Sequence, residues 1–240
     1  MSSGYVHVGD CVYLPGRRWA LRMLPSPRDD EVYRRLLDHH HRRSGWIVYQ
    51  PVCMGCRECR PIRVPVARFQ PSKSQRRALR RNQDVVLEVG PPEPTQEKLD
   101  LHNRFVEARF DRGDTGFASV DAYAEVFGPS PITTLEMRYR VEGRLVGLGI
   151  VDVVPDVVSS VYFYFDPAES KRSLGTYSAL QEIEFARRTG RGYLYLGYYV
   201  QGCKEMSYKA RFQPSELLTA DGRWVPFDEV FRPTESARLA

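Results

Sequence analysis

Between Leu135 and Phe165 the chain leaves itself little choice of fold. Leu135, Met137, Tyr139 and Val141 alternate with Glu136, Arg138 and Arg140, the period of a strand with one wet face. Glu142-Gly143 is a two-residue turn, and Leu145 to Val154 follows as a second strand. Pro155-Asp156 turns the chain again into Val157 to Phe165. Strands joined by turns this short pair with their sequence neighbours, so the stretch is an antiparallel meander. A helix from about Leu174 to Arg188 stops at Gly190, and a strand from Tyr193 to Val200 comes next. The class is α+β.

Ahead of the meander, Val32, Tyr33, Leu36, Leu37 and His40 recur at helical spacing across residues 29 to 41. Trp46 to Tyr49 and Pro61 to Val66 read as short strands. Ser74 to Asn82 reads as a basic helix with arginines paired at i, i+4: Arg76 with Arg80, Arg77 with Arg81. Like charges so placed cost a few tenths of a kcal/mol (roughly) unless an anion sits between them. Gly90-Pro-Pro-Glu-Pro94 breaks both helix and sheet. It divides the chain into residues 1–90, with the cysteines and the basic helix, and residues 95–240, onto which N-terminal strands have room to pack. Gln96 to Phe110 reads as helical, and Ser119 as the cap of a short helix ending at Gly128-Pro129.

Charge is distributed unevenly. Residues 57 to 81 hold nine basic side chains and one acid, so they carry +8 while the whole chain of 240 residues carries +5. A basic block on a nearly neutral remainder points to a polyanion partner, against the simpler reading of a solvated surface. Hydrophobic residues are 42% and charged residues 27%, which excludes a collagen-like, coiled-coil or wholly disordered chain. No apolar run approaches the roughly 18 residues of a membrane span. No secretory signal pattern opens the sequence, so a cytoplasmic protein is expected.

Cys53-Met-Gly-Cys56-Arg-Glu-Cys59 holds two successive C-x-x-C spacings. Such turns let thiolates face one ion, and Cys11 is the candidate fourth ligand; zinc and an iron–sulfur cluster both suit the set. The alternative is a group of metal-free thiols. Arg172-Ser-Leu-Gly175-Thr-Tyr177 opens a helix, where backbone N–H groups make a natural anion site. Tyr193, Tyr195, Tyr198 and Tyr199, followed by Lys204 and Lys209, suit nucleotide stacking and phosphate contacts, or core packing.

The order meander, helix, strand resembles the GNAT acyltransferase core, in which two strands splay beside a helix. The GNAT pyrophosphate loop expects Gln/Arg-x-x-Gly-x-Gly/Ala; Arg172 and Gly175 fit it and Tyr177 does not. Over residues 8 to 218 the chain also resembles the aminoacyl-tRNA–protein transferases. The resemblance rests on Cys11-Val-Tyr-Leu-Pro-Gly16, Arg42-Arg-Ser-Gly45 with Val48-Tyr-Gln-Pro51, and the cysteine cluster. It continues through Pro61-Ile-Arg-Val64, Phe69-Gln-Pro-Ser-Lys-Ser-Gln-Arg-Arg77, Tyr164-Phe-Asp-Pro167 and Ser173-Leu-Gly-Thr176. Tyr195-Leu-Gly-Tyr-Tyr199 and Met206-Ser-Tyr-Lys-Ala-Arg-Phe-Gln-Pro214 complete it. The Cys-x-Tyr-Leu-Pro form resembles the bacterial branch.

The resemblance implies a GNAT-like C-terminal domain and a smaller cysteine-bearing N-terminal domain. It implies transfer of leucine, or alternatively arginine, from charged tRNA to proteins starting with Asp or Glu, marking them for degradation. A coenzyme A-dependent N-acyltransferase and a metal-stabilised RNA-binding module remain as rivals. Aminolysis of an activated ester needs no obligatory cofactor and no strong base, because an α-amine has a pKa near 8. Tyr164, Asp166, Tyr198 and Lys209 are the candidates around the reacting ester. Arg76, Arg77, Arg80, Arg81, Gly175 and Thr176 are the candidates for tRNA, and Arg42, Arg43 and Arg211 for the acceptor's carboxylate.

Overall fold

The structure, a computed structural model, describes residues 5–109 and 116–231. Strands β1 (Tyr5–Asp10), β2 (Arg18–Pro25), β3 (Arg42–Ser44) and β4 (Ile47–Pro51) form an antiparallel sheet in the order β1-β2-β4-β3. Helix α1 (Asp30–Leu37) lies between β2 and β3 in sequence. Its cap is Asp29, whose carboxylate accepts from the N–H groups of Glu31 and Val32, and it buries Tyr33 and Leu37. Hydrophobic spacing in the sequence reveals α1 and β4 but not β1 and β2. Nearly all of β1 is exposed, so no buried face imposes the alternation that would reveal it.

The larger sheet has eight strands. These are β5 (Arg60–Pro65), β6 (Val86–Gly90), β7 (Thr134–Val141), β8 (Arg144–Val154), β9 (Val157–Phe165), β10 (Tyr193–Tyr199), β11 (Glu216–Leu218) and β12 (Trp224–Pro226). Their order is β12-β11-β5-β10-β9-β8-β7-β6. Two strands that precede the Gly90–Pro94 break, β5 and β6, are therefore built into this sheet.

Helices cover both faces. On one side α5 (Leu174–Arg188) and the basic helix α2 (Lys73–Arg81) enclose a core with Leu174, Leu180 and Ile183. On the other side α3 (Gln96–Arg109) and α4 (Val120–Phe127) enclose Leu101, Phe105, Leu148 and Tyr164. A four-residue helix, α6 (Phe227–Val230), closes the described chain. This double cover explains why β8 reads as a continuous apolar run: it is buried from Leu145 to Val154. It also corrects the expected wet face of β7. Glu136 is fully buried there, held by Lys98 of α3 at 2.6 Å. The expected helix of residues 96 to 110 runs to Arg109, and residue 110 lies outside the described residues. Ser119 does cap α4, accepting from the N–H of Ala122.

The GNAT-like core is present: the meander β7-β8-β9, then α5, then β10 parallel to β9. Among the described residues, no helix is long and apolar enough to cross a membrane.

Candidate active site

β9 and β10 pair only where Val157 to Ser159 faces Tyr193 to Tyr195. Beyond that point both strands continue without pairing to each other. The cause on the β10 side is a bulge: Tyr195 opposes Arg63 of β5 while Tyr198 opposes Pro61. This breaks the two-residue alternation of an ordinary strand. Gly197 sits in the bulge at φ +86°, where a Cβ would come 3.4 Å from Lys209 Nζ and 3.5 Å from Arg42 Nη2. Glycine at this position lets two cations approach the strand.

Arg42 reaches in from β3 and is buried. Its Nη1 donates to Ser159 Oγ at 2.9 Å, and its Nη2 donates to the carbonyl of Ser160, the first residue past the paired stretch. Among the described residues it makes no ion pair, and an unpaired buried cation is costly. Lys209, in the helical turn Ser207–Arg211, is also buried and donates from Nζ to the Tyr198 carbonyl at 2.7 Å. Burial, and then the charge of Arg42, lower its pKa to about 7. The Tyr198 hydroxyl donates to the His40 carbonyl at 2.7 Å, and its ring meets Tyr49 edge-on at 6.3 Å between centroids. Three residues expected from the sequence, Arg42, Tyr198 and Lys209, thus stand together at the splay.

A fourth group there escaped the sequence reading. Glu182 of α5 is buried, and its Oε1 accepts from Ser178 Oγ at 3.0 Å. Burial raises its pKa to about 7, while the hydroxyls of Ser178 and Ser160 act in the opposite sense. Its Oε2 has no well-formed hydrogen bond. The signal was available: Glu182 shares its spacing with Ala179, Ile183 and Ala186, all buried, so a carboxylate faces the core.

The other expected residues lie elsewhere. Tyr164 is wholly buried in the core beneath α3 and α4, its hydroxyl 2.6 Å from that of Tyr123. Asp166 has both oxygens engaged: Oδ1 accepts from the Ala168 N–H at 3.0 Å and Oδ2 from Arg144 at 2.7 Å. Arg43 forks onto Asp152, with contacts of 3.0 and 2.5 Å, and both side chains are buried. Arg211 is exposed.

The basic surface is built around α2. Ser72 and Gln75 form a capping box at its start, and Arg76, Arg77, Arg80 and Arg81 are exposed. Arg81 donates to the Lys171 carbonyl and to Ser173 Oγ, which ties α2 to the start of α5. Gly175 and Thr176 lie in the first turn of α5, whose cap residue Ser173 is left-handed at φ 58° and gives no side-chain cap bond. The N–H groups of that turn therefore lack a side-chain cap partner. Arg172 is held by Asp84 and Glu169, and Tyr177 is buried against Tyr139. Tyr177, the one departure from a coenzyme A loop, thus has a structural counterpart in its packing.

Cys53, Cys56 and Cys59 line one cavity of about 480 Å³. Burial and the neighbouring Cys53, Cys11 and Cys56 push the Cys59 thiol up to about 12. The four thiols are close enough to influence one another. Among the described residues, however, no three His, Cys, Asp or Glu side chains are arranged to hold an ion.

Sequence comparison accounts for most of the chain. Residues 9–77 match the N-terminal model of arginine-tRNA-protein transferase, and residues 97–219 match its C-terminal model. The aspartate/glutamate leucyltransferase of Gluconacetobacter diazotrophicus is 40% identical over 231 residues, 95% of this chain and 88% of that protein. The aspartate/glutamate leucyltransferase of Halorhodospira halophila is 40% identical over 223 residues, 90% of this chain and 93% of that protein. Among solved structures, FemX superposes with a TM-score of 0.51 at 7% identity, covering 89% of this chain and 86% of that one, a likeness of fold alone. The matched domains, in this order and over this length, show that the chain belongs to the arginine-tRNA-protein transferase family.

Proposed function

We propose that this protein transfers leucine from leucyl-tRNA to proteins that begin with Asp or Glu, marking them for degradation. The observation that carries the reading is Arg42, a buried cation with no acid paired to it, beside an amine whose pKa lies near 7. The acceptor's side-chain carboxylate supplies the anion that Arg42 lacks. The neutral α-amine nitrogen attacks the ester carbonyl and the bond to the ribose oxygen breaks. Lys209, neutral for a large fraction of the time, takes the proton that the nitrogen sheds as the new bond forms and passes it to that oxygen. Positioning supplies much of the remaining rate. The names of the relatives, which specify aspartate/glutamate leucyltransfer, support the choice of donor and acceptor.

The direct test offers the purified protein leucyl-tRNA or arginyl-tRNA with peptides beginning Asp, Glu, Asn or Lys. Leucine on Asp and Glu alone is the expected result. Transfer from arginyl-tRNA alone would overturn the donor assignment, and no transfer at all would overturn the enzyme.

The tRNA lies along α2 and the start of α5 in this reading, with its phosphates on Arg76, Arg77, Arg80 and Arg81 and near Gly175 and Thr176. Such contacts position the nucleic acid without reading its sequence. Replacing Arg77 and Arg80 by Ala therefore weakens binding of charged and uncharged tRNA alike. It also flattens the log–log salt dependence by somewhat under one unit per lost contact, about 0.7 to 0.9. A filter-binding titration in which both affinity and slope match the wild type would reduce α2 to a solvated surface.

No step of this reaction passes through the thiols. The donor set Cys11, Cys53, Cys56 and Cys59 has the chemistry for zinc or an iron–sulfur cluster, and anaerobic purification followed by metal analysis tests it. Less than about 0.2 equivalents of either metal removes the proposal that these thiols form a loaded site.

A further inference from the structure

A cavity of about 410 Å³ opens among β3, β4, α3, α4 and β9. Its volume falls in the range of small-molecule sites, roughly 300–1,000 Å³. Val106, Phe117, Val126, Phe127, Val161 and Tyr162 give it an apolar side. Phe127 stacks on Tyr162 at 5.0 Å between centroids. The only cation in the described wall is Arg43, and its charge is already met by Asp152. No described wall residue is acidic.

The walls are held in place. Asn103 accepts from the N–H of Phe117 at 3.0 Å and donates to its carbonyl at 2.8 Å. Val161 occupies a bulge of β9, where Tyr162 opposes Ile150 while Ser160 opposes Val151. The same bulge separates Ser160, which meets Arg42, from Tyr162, which lines the cavity.

Two tyrosines link the cavity to Lys209. Tyr49 lines it and meets the ring of Tyr198, whose carbonyl holds Lys209. We propose that this cavity receives the side chain of the amino acid carried by the tRNA, and that its apolar walls select leucine over charged donors. The inference rests on the leucine-transfer reading and assigns the donor side chain a place within it. The acceptor's carboxylate does not suit these walls, which offer it no unpaired cation. Among the described wall residues an arginyl guanidinium would find no carboxylate.

The test narrows the cavity and changes the donor while keeping the tRNA constant. One leucine-accepting tRNA is charged enzymatically with leucine and chemically with alanine. Transfer from each to an Asp-initiated peptide is measured for the wild type and for Val161→Phe. A pocket discriminates by roughly 10–200-fold per methylene. Val161→Phe is therefore expected to cut leucine transfer by about 100-fold and leave alanine transfer within about threefold. Equal losses for both donors, or no loss for either, would overturn the assignment. Val126→Phe narrows the cavity from α4 and carries the same comparison if Val161→Phe does not fold. A wild-type protein that transfers nothing from leucyl-tRNA refutes the leucine reading itself. That result is distinct from normal wild-type transfer with unchanged selectivity in the variants.

Discussion

Lys209→Met is expected to lower kcat by about 10²–10⁴-fold, the range over which a positioned base accelerates proton transfer. Affinity for tRNA is expected to stay at the wild-type level. The pH profile carries the sharper signature. Lys209 has its pKa lowered to about 7 by burial and by Arg42, so it accepts a proton only as pH rises through that value. Wild-type kcat should fall on two acid limbs, one set by the acceptor's α-amine and one by Lys209, and Lys209→Met should lack the second. Arg42→Met should move the Lys209 limb to higher pH, because the second cause of the lowering is gone. Stability moves the other way. The unfolded chain holds the Lys209 proton to a higher pH than the folded one, so folding is penalised below the unfolded pKa, in full once pH falls below the folded value. Lys209→Met should therefore melt no lower than the wild type at pH 7, which separates loss of a base from loss of the fold. A variant that keeps more than a tenth of wild-type kcat, or retains both acid limbs, would remove Lys209 from proton transfer.

Much of the scaffold was legible in the sequence because its signals are local. The meander, α5 and β10 follow from hydrophobic period and turn residues. Arg42 and Lys209 lay in stretches that the family resemblance marked. What stayed hidden depends on contacts distant in sequence. Nothing local shows that α3 would cover Glu136, or that Gly197 would sit in a bulge pressed between two cations. Arg42 and Arg43 are neighbours of one residue type, and alternation along β3 sends one to Ser159 and the other to Asp152. Tyr164 and Asp166 carried the motif signal of a site, yet one fills a core and the other caps a turn. A motif records that residues stay together, and both packing and chemistry produce that record.

The two adjacent arginines give the clearest separation of stability from function. Arg43→Ala removes the fork that neutralises Asp152, a carboxylate whose side chain is 0% exposed, and also the contact with Thr134. Breaking a buried pair from one side costs about 3–5 kcal/mol. For a chain of this size, 1 kcal/mol shifts Tm by about 2–4 °C, so thermal unfolding should come earlier by on the order of 10 °C. Arg43→Met combined with Asp152→Leu should recover most of that loss, since an apolar pair of similar volume replaces the buried ions. Arg42→Ala behaves differently because, among the described residues, no carboxylate is ion-paired to it. Its Tm should change little, while KM for an Asp-initiated peptide should rise at least about 30-fold, as expected when a charged hydrogen bond to a ligand is lost. The two variants need only a melting curve and an acceptor titration each. An Arg43→Ala protein as stable as the wild type but unable to bind the acceptor would exchange the roles assigned to the two residues.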